Sequence, residues 1–94
     1  QRMNEDILAA SIVGQAADDW RWAIKPTNTK SKNFKKTVRA KRERIGELRR
    51  FFRGKSADLY SGGNGKAILS RLEEEYAASK GRLQIEAYER GEIG

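Results

Sequence analysis

The sequence predicts an all-α protein, a small bundle of about three helices that ends in either a fourth C-terminal helix or an arm. Apolar residues recur at helical spacing in three segments, and the alternation typical of strands is weak and confined to residues 82–88. The single proline, Pro26, separates the first segment from the second. With 94 residues, the chain fits one helical domain spanning residues 1–94.

The first predicted helix covers residues 4–25. Asn4 takes the N-cap position, and Glu5 and Asp6 lie in the first turn, where the helix dipole favours acidic side chains. Pro26 ends the helix because the residue before a proline is disfavoured in helical conformation. The predicted apolar stripe consists of Leu8, Ile12, Ala16 and Trp20, widened by Ala9, Val13 and Ile24.

The second predicted helix covers residues 33–54 and has the clearest pattern. Asn33 or Ser31 caps its start and Gly54 ends it. Its apolar residues lie close to one line along the helix, which predicts a face turned to the core. They are Phe34, Val38, Ile45, Leu48 and Phe52, with Phe51 at their flank.

Lys41 falls on the same apolar line, where a charged side chain needs an explanation. The favoured interpretation is that its aliphatic stem packs at the edge of the core while the ammonium reaches solvent. The alternative is an ion pair with Asp18 or Asp19 of the first helix.

The third predicted helix covers residues 64–80, with Asn64 as its cap and Gly81 ending or bending it. Its stripe is Ile68 or Leu69, then Leu72 and Tyr76. The tail, residues 82–94, carries Leu83, Ile85 and Tyr88 in a polar background. It either continues the helix, forms a short fourth helix, or extends as an arm on a partner.

The composition argues against an enzyme. The chain has no cysteine and no histidine, which removes disulfides, thiolate chemistry, the commonest general base and the usual zinc ligand. The run Glu73–Glu75 cannot converge on one site, because consecutive helical positions point about 100° apart. We therefore predict no catalytic residue, no bound metal and no cofactor.

The apolar content sets further expectations. No apolar stretch approaches the roughly 20 residues that a membrane span needs, and no signal peptide is visible, so a cytoplasmic protein is expected. Leu, Ile, Val and Phe together number 18 of 94 residues, near the lower limit for a globular chain. A monomer would be marginally stable, which favours a homodimer or another partner that covers apolar surface.

The segment "SGGNGKAILSRL", residues 61–72, is similar to a phosphate-binding loop. A Walker loop, however, requires glycine at the position of Tyr60 and a hydroxyl at the position of Ala67. The favoured interpretation is a glycine-rich turn into a helix that starts at Asn64. The alternative is that this helix N-terminus, with Lys66 beside it, holds a phosphate.

The positive charge is concentrated in the second helix. Residues 30–55 hold twelve of the 20 Lys and Arg residues but two of the 13 acidic ones. Six of these cations fall within an arc of about 100° beside the apolar stripe, with Gly46 in the middle of the arc. They are Lys35, Arg39, Arg42, Arg49, Arg50 and Arg53.

Such an arc of arginine is typical of a surface that binds phosphates. The alternative is a solvated face tied to acidic residues of a neighbouring helix, such as Glu73–Glu75. Trp20 is predicted to lie in the core. Trp22 points away from the stripe and is predicted either to stack on a base or anchor a protein partner, or to pack on another helix.

Three segments, "IVGQAADDWRWAIK", "IGELRRFFRGKSADLY" and "GNGKAILSRLEEEY", resemble small uncharacterised helical proteins of phages and prophages of Gram-positive bacteria. In that family a Q-A-x-x-D-[YW]-R helix precedes an E-R-F-F-R-S-type segment, a D-G turn and an L-I-x-x-L helix. This chain departs from the pattern at residues 55–58, where the family has an aromatic pair, and at Asn64, which replaces an aspartate. The matching residues are Gln15, Ala16, Asp19, Trp20, Arg21, Leu48 to Arg53, and Gly65.

The resemblance implies a phage accessory protein in the host-cell cytoplasm, acting in DNA transactions or against a host defence system. Together with the basic helix, it predicts a non-enzymatic protein that binds DNA or RNA backbone largely independently of sequence, with Lys66 as an outlying contact. The alternative is a protein-interaction module that docks on an acidic surface of a host or phage protein. That module would use the same arginines and Trp22.

Overall fold

The computed structural model describes the backbone of residues 2–93 and the side chains of residues 7–93. Within that range the chain is helical and contains no strand, which confirms the all-α prediction. The described residues form five helices rather than about three, because a short helix follows Gly54 and the tail forms the helix that the sequence left as one alternative. The helices are α1 (Arg2–Ile24), α2 (Phe34–Arg53), α3 (Lys55–Tyr60), α4 (Gly65–Ala77) and α5 (Gly81–Glu89).

The central helix is α2, which contacts all four other helices. Its predicted stripe faces the core as expected: Phe34 is partly buried and the other four residues are buried. Phe51 also packs against the core from its flank. The largest fully buried side chains come from three helices, and they are Trp20, Val38, Ile45, Phe52 and Leu72.

The apolar stripe of α1 is buried along only part of its length. Ala16 and Trp20 lie in the core, but Ile7 and Leu8 are 59% and 63% exposed. The prediction that Leu8 faces the core is therefore wrong. α1 runs antiparallel to α2, and α2 ends at Arg53, so the first turns of α1 extend past it.

The predicted N-caps are correct in position for two helices but not in chemistry. Asn33 and Asn64 directly precede α2 and α4, yet neither side chain caps the helix. The Asn64 amide instead donates to the Ser61 carbonyl at 3.0 Å. α1 begins at Arg2, ahead of the predicted cap, and the side chains of Asn4, Glu5 and Asp6 lie outside the described residues.

Lys41 is buried, and both interpretations of it are wrong. Its side chain does not reach solvent, because the residue is only 6% exposed. The ammonium donates to the Lys25 carbonyl at 2.8 Å and lies 5.3 Å from the centre of the Trp22 ring. It therefore satisfies the carbonyl at the end of α1. Burial, and secondarily the charge of Lys25, lowers the pKa of Lys41 below its usual range.

The tail forms a short helix, α5, that packs on the bundle. The first residue of this helix, Gly81, packs directly against the Ile24 carbonyl. A glycine is needed there because a Cβ would collide with that carbonyl oxygen. The Gln84 amide then holds the loop after α1, accepting from the Thr27 N–H at 2.7 Å and donating to the Thr27 carbonyl at 2.9 Å. The predicted third helix accordingly ends at Ala77.

Candidate nucleic-acid interface

The cations of the predicted arc on α2 lie at different distances from the apolar stripe. Arg42 and Arg49 are nearer the apolar stripe and face α4 and α5. Lys35, Arg50 and Arg53 lie farther round, and helical geometry puts Lys35 and Arg53 on one line, about five turns or about 27 Å apart. We call the first set the inner flank and the second set the outer row.

The inner flank pairs with acidic residues of α4 and α5. Arg49 donates through Nε and Nη2 to the two carboxylate oxygens of Glu73 at 2.8 and 2.9 Å. Its guanidinium also lies 5.8 Å from the centre of the Trp20 ring and 5.2 Å from that of Tyr76. The bond to Glu73 raises the pKa of Arg49 further above its usual range. Arg42 ties α2 to α5 through Glu89, at 3.1 Å.

The outer row makes no such contacts. Lys35, Arg50 and Arg53 are exposed, and none of them forms an ion pair with another side chain in residues 7–93. Arg39 lies beside the row and pairs with Glu43 at 3.3 Å, with both side chains more than half exposed. An exposed pair four residues apart contributes about 0.5 kcal/mol at most, so Arg39 can exchange its partner for a phosphate.

Gly46 lies at the middle of the cationic arc and opens a groove of about 400 Å³. A Cβ on Gly46 would meet only the Arg50 guanidinium, at 3.6 Å, so the backbone is accessible there. Tyr76 and Ile85 also line the groove. Its charged lining consists of three arginines and three carboxylates, namely Arg42, Arg49, Arg50, Glu43, Glu47 and Glu89. The groove therefore exposes the backbone at Gly46 but is not a purely cationic surface.

The glycine-rich turn is a helix start, as predicted. Gly62 and Gly63 have φ of 66° and 90°, in the left-handed region that favours glycine. The first N–H of α4, on Gly65, donates to the Asp58 carboxylate at 3.2 Å. That carboxylate stands where the alternative interpretation puts a phosphate, and a Cβ on Gly65 would lie 2.7 Å from it.

Lys66 lies in the first turn of α4, near the C-terminal end of the outer row. It is exposed and lines a groove of about 670 Å³ together with Arg53. Leu69 forms part of this groove, and Glu73 borders it from α4. The structure thus brings the predicted outlying contact next to the C-terminal end of the row.

Two tryptophans on α1 face in different directions, as predicted. Trp20 is fully buried, and its indole N–H donates to the Leu72 carbonyl at 2.8 Å. Trp22 is 45% exposed, with the Lys41 ammonium against its ring. Its exposed face is available to a base or to a protein partner.

Several residues that shape this site were missed by sequence reasoning. Glu89 holds Arg42, but it lies in the tail, for which the sequence left three conformations open. Asp58 caps α4 from seven residues upstream, at a spacing that no standard capping pattern covers. Glu73 does pair with Arg49, as the alternative for the basic face anticipated, whereas Glu75 pairs with Arg21 of α1.

In the part of the chain that the structure describes, no helix is long and apolar enough to cross a membrane, and no group of three acidic side chains could hold a metal ion. Comparisons with known protein families, with curated proteins and with solved structures found no match.

Proposed function

We propose that this protein binds the phosphate backbone of nucleic acid through the outer row of α2, with Lys66 as a flanking contact. The observation that carries the proposal is a set of exposed cations, Lys35, Arg50 and Arg53, that span about 27 Å of α2 and have no acidic partner among the described side chains. Because no carboxylate already neutralises them, each can bind a phosphate and release that phosphate's counterion.

The proposed contacts are narrower than the sequence prediction. Lys35, Arg50, Arg53 and Lys66 contact phosphates, and Arg39 can join them. Arg42 and Arg49 are left out of the contacts, because they pair with Glu89 of α5 and Glu73 of α4, whereas the partner of Arg39 lies on α2 itself. Binding is non-enzymatic and largely independent of sequence, because the proposed contacts are made to the phosphate backbone, which carries no sequence information directly.

The test is fluorescence anisotropy with labelled single- and double-stranded DNA and RNA at about 50 and about 200 mM salt. Four duplex phosphate contacts predict a log–log slope of about −3.6, or a loss of about 100-fold in affinity between those concentrations. The double variant R50A/R53A should bind more weakly and with a shallower slope. Its matched control is R71A/K80A, which removes the same charge from exposed positions outside α2.

The absence of binding at the lower salt concentration would contradict the proposal. Equal weakening in R50A/R53A and R71A/K80A would also contradict it, because net charge alone would then explain the binding. The preferred nucleic acid, DNA or RNA, follows from the same titrations.

The second candidate is a protein-interaction module that docks on an acidic protein surface, and the exposure of Trp22 favours it. As the resemblance to phage proteins implies, the target would be a host or phage protein, for example a host-defence component. This candidate predicts that W22A abolishes capture of the partner while affinity for nucleic acid stays negligible. The phage origin and the cytoplasmic location are part of these proposals.

A further inference from the structure

The N-terminal half of α1, from Ile7 onward, carries an apolar surface that the bundle leaves open. Residues 7–17 carry no charged side chain, although 35% of the chain is charged. Ile7 and Leu8 are more than half exposed. Next to these two residues, a groove of about 410 Å³ lies between α1 and the C-terminal half of α2. Its apolar lining is Ile12, Ala16, Leu48 and Phe51, with Arg44 and Glu47 at the rim.

Leu8 is aligned with this groove. In helical geometry Leu8 lies at the centre of the face that also carries Ser11, Ile12 and Gln15, which line the groove. The surface therefore combines a protruding apolar side chain with an apolar recess one to two turns away on the same helix. A surface of this kind can be self-complementary when it meets its own copy around a two-fold axis.

We propose that a second copy of this chain covers the surface, so that two α1 helices pack antiparallel about a two-fold axis near Ser11 and Ile12. Leu8 of each copy then lies beside Gln15 of the other and enters the recess floored by Leu48 and Phe51. Each copy supplies one knob and one recess, so every contact occurs twice.

The charge distribution leaves this surface open to a second copy. Each copy has a net charge of +7, so two copies repel wherever their cationic surfaces meet. Residues 7–17 carry no charge, Arg44 and Glu47 at the rim have opposite charges, and the surface lies about 140° around α2 from the outer row. The two-fold pair therefore keeps the two rows on outward faces, and dimer formation does not depend on whether the rows bind nucleic acid.

The contact area sets the expected affinity. Two helices that pack along about 20 Å bury on the order of 500 Å² per copy, against about 800 Å² in a standard stable interface. The dimer is therefore expected to dissociate at micromolar concentrations rather than to persist at nanomolar ones.

The test is analytical ultracentrifugation of the free protein from about 1 to about 300 µM at about 200 mM salt, without nucleic acid. We expect reversible self-association to a dimer with a Kd of tens of micromolar, and L8E should raise that Kd by at least about tenfold. L83E is the matched control: the same substitution at a leucine that is 56% exposed on α5 should leave the Kd unchanged.

Circular dichroism of L8E should show wild-type helix content, since Leu8 lies outside the core. A wild-type protein that stays monomeric at about 300 µM overturns the proposal and leaves the surface to a different partner. Equal effects of L8E and L83E also overturn it. Because nucleic acid is absent from this experiment, its outcome is independent of the anisotropy titrations.

Discussion

Arg49 and Arg50 are neighbours in the sequence, yet the structure gives them different surroundings. Arg49 points toward α4, where Glu73 accepts two hydrogen bonds from it and the rings of Trp20 and Tyr76 flank its guanidinium. Arg50 points about 100° away along the outer row and pairs with no described acidic side chain. The same residue type thus stabilises the fold at one position and is available to a ligand at the next.

The comparison shows how the cations of one helix divide into paired and unpaired side chains. Cations near the apolar stripe are within reach of acids on the neighbouring helices, as Arg42 and Arg49 demonstrate. Cations farther from the stripe can find partners only on their own helix, and most positions around the outer row are not acidic. A count of basic residues therefore overstates the binding surface.

The largest expected effect is on nucleic-acid affinity, which should depend strongly on the outer row and little on the inner flank. R50A/R53A removes two phosphate contacts, which at about 50 mM salt should weaken duplex binding on the order of 100-fold. R42A/R49A removes the same charge from the inner flank and should change the affinity of the folded protein by less than about threefold. Anisotropy titrations of both double variants measure the difference.

Similar losses of affinity in the two double variants would contradict the distinction between the inner flank and the outer row. The R42A/R49A titration should be run at low temperature, with its helix content checked by circular dichroism, so that unfolding is not mistaken for lost contacts.

The next effect is on stability, and here the order of the two arginines reverses. R49A removes a bidentate charged hydrogen bond and leaves the half-buried Glu73 unpaired, which should lower the free energy of unfolding by about 2 kcal/mol. R50A removes an exposed, unpaired side chain and should change it by less than about 0.5 kcal/mol. Urea denaturation followed by circular dichroism distinguishes the two. Equal changes would mean that the contacts of Arg49 contribute no net stability.

Local patterns were sufficient to predict the helical class and the core face of α2. Val38, Ile45, Leu48 and Phe52 are buried as predicted because their spacing alone places them on one face. Leu8 has the same spacing on α1 but is exposed, because the length of α2 decides what covers it. Periodicity identifies a face, and the neighbouring helix determines how much of that face is buried.

The candidate site was predictable in composition but not in pairing. The concentration of cations in residues 30–55 is evident in the sequence, whereas Glu89 reaches Arg42 only because α5 packs back on the bundle. That packing depends on the close approach of Gly81 to the Ile24 carbonyl, which no local pattern encodes. Long-range contacts of this kind decide which arginines stay available.

The smallest expected effect concerns the third side of α2, which faces α1. There Arg44 donates to Asp19, and this hydrogen bond, followed by one from Gln15, lowers the pKa of Asp19 below 3.8. A carboxyl whose pKa is lower in the folded state adds stability above its unfolded pKa, and that stability is lost as the pH falls through the folded pKa.

The wild-type protein should therefore exceed D19N in stability near neutral pH by less than about 1 kcal/mol, because the pair is partly exposed. The difference should shrink as the pH falls through the usual range of an aspartate and vanish once the pH is below the lowered folded pKa of Asp19. Urea denaturation at the two pH values measures it, with D18N at the adjacent exposed position as the control. A D19N deficit that persisted in acid would show that Asp19 stabilises α1 by packing rather than by its charge, and that this side of α2 differs from the inner flank.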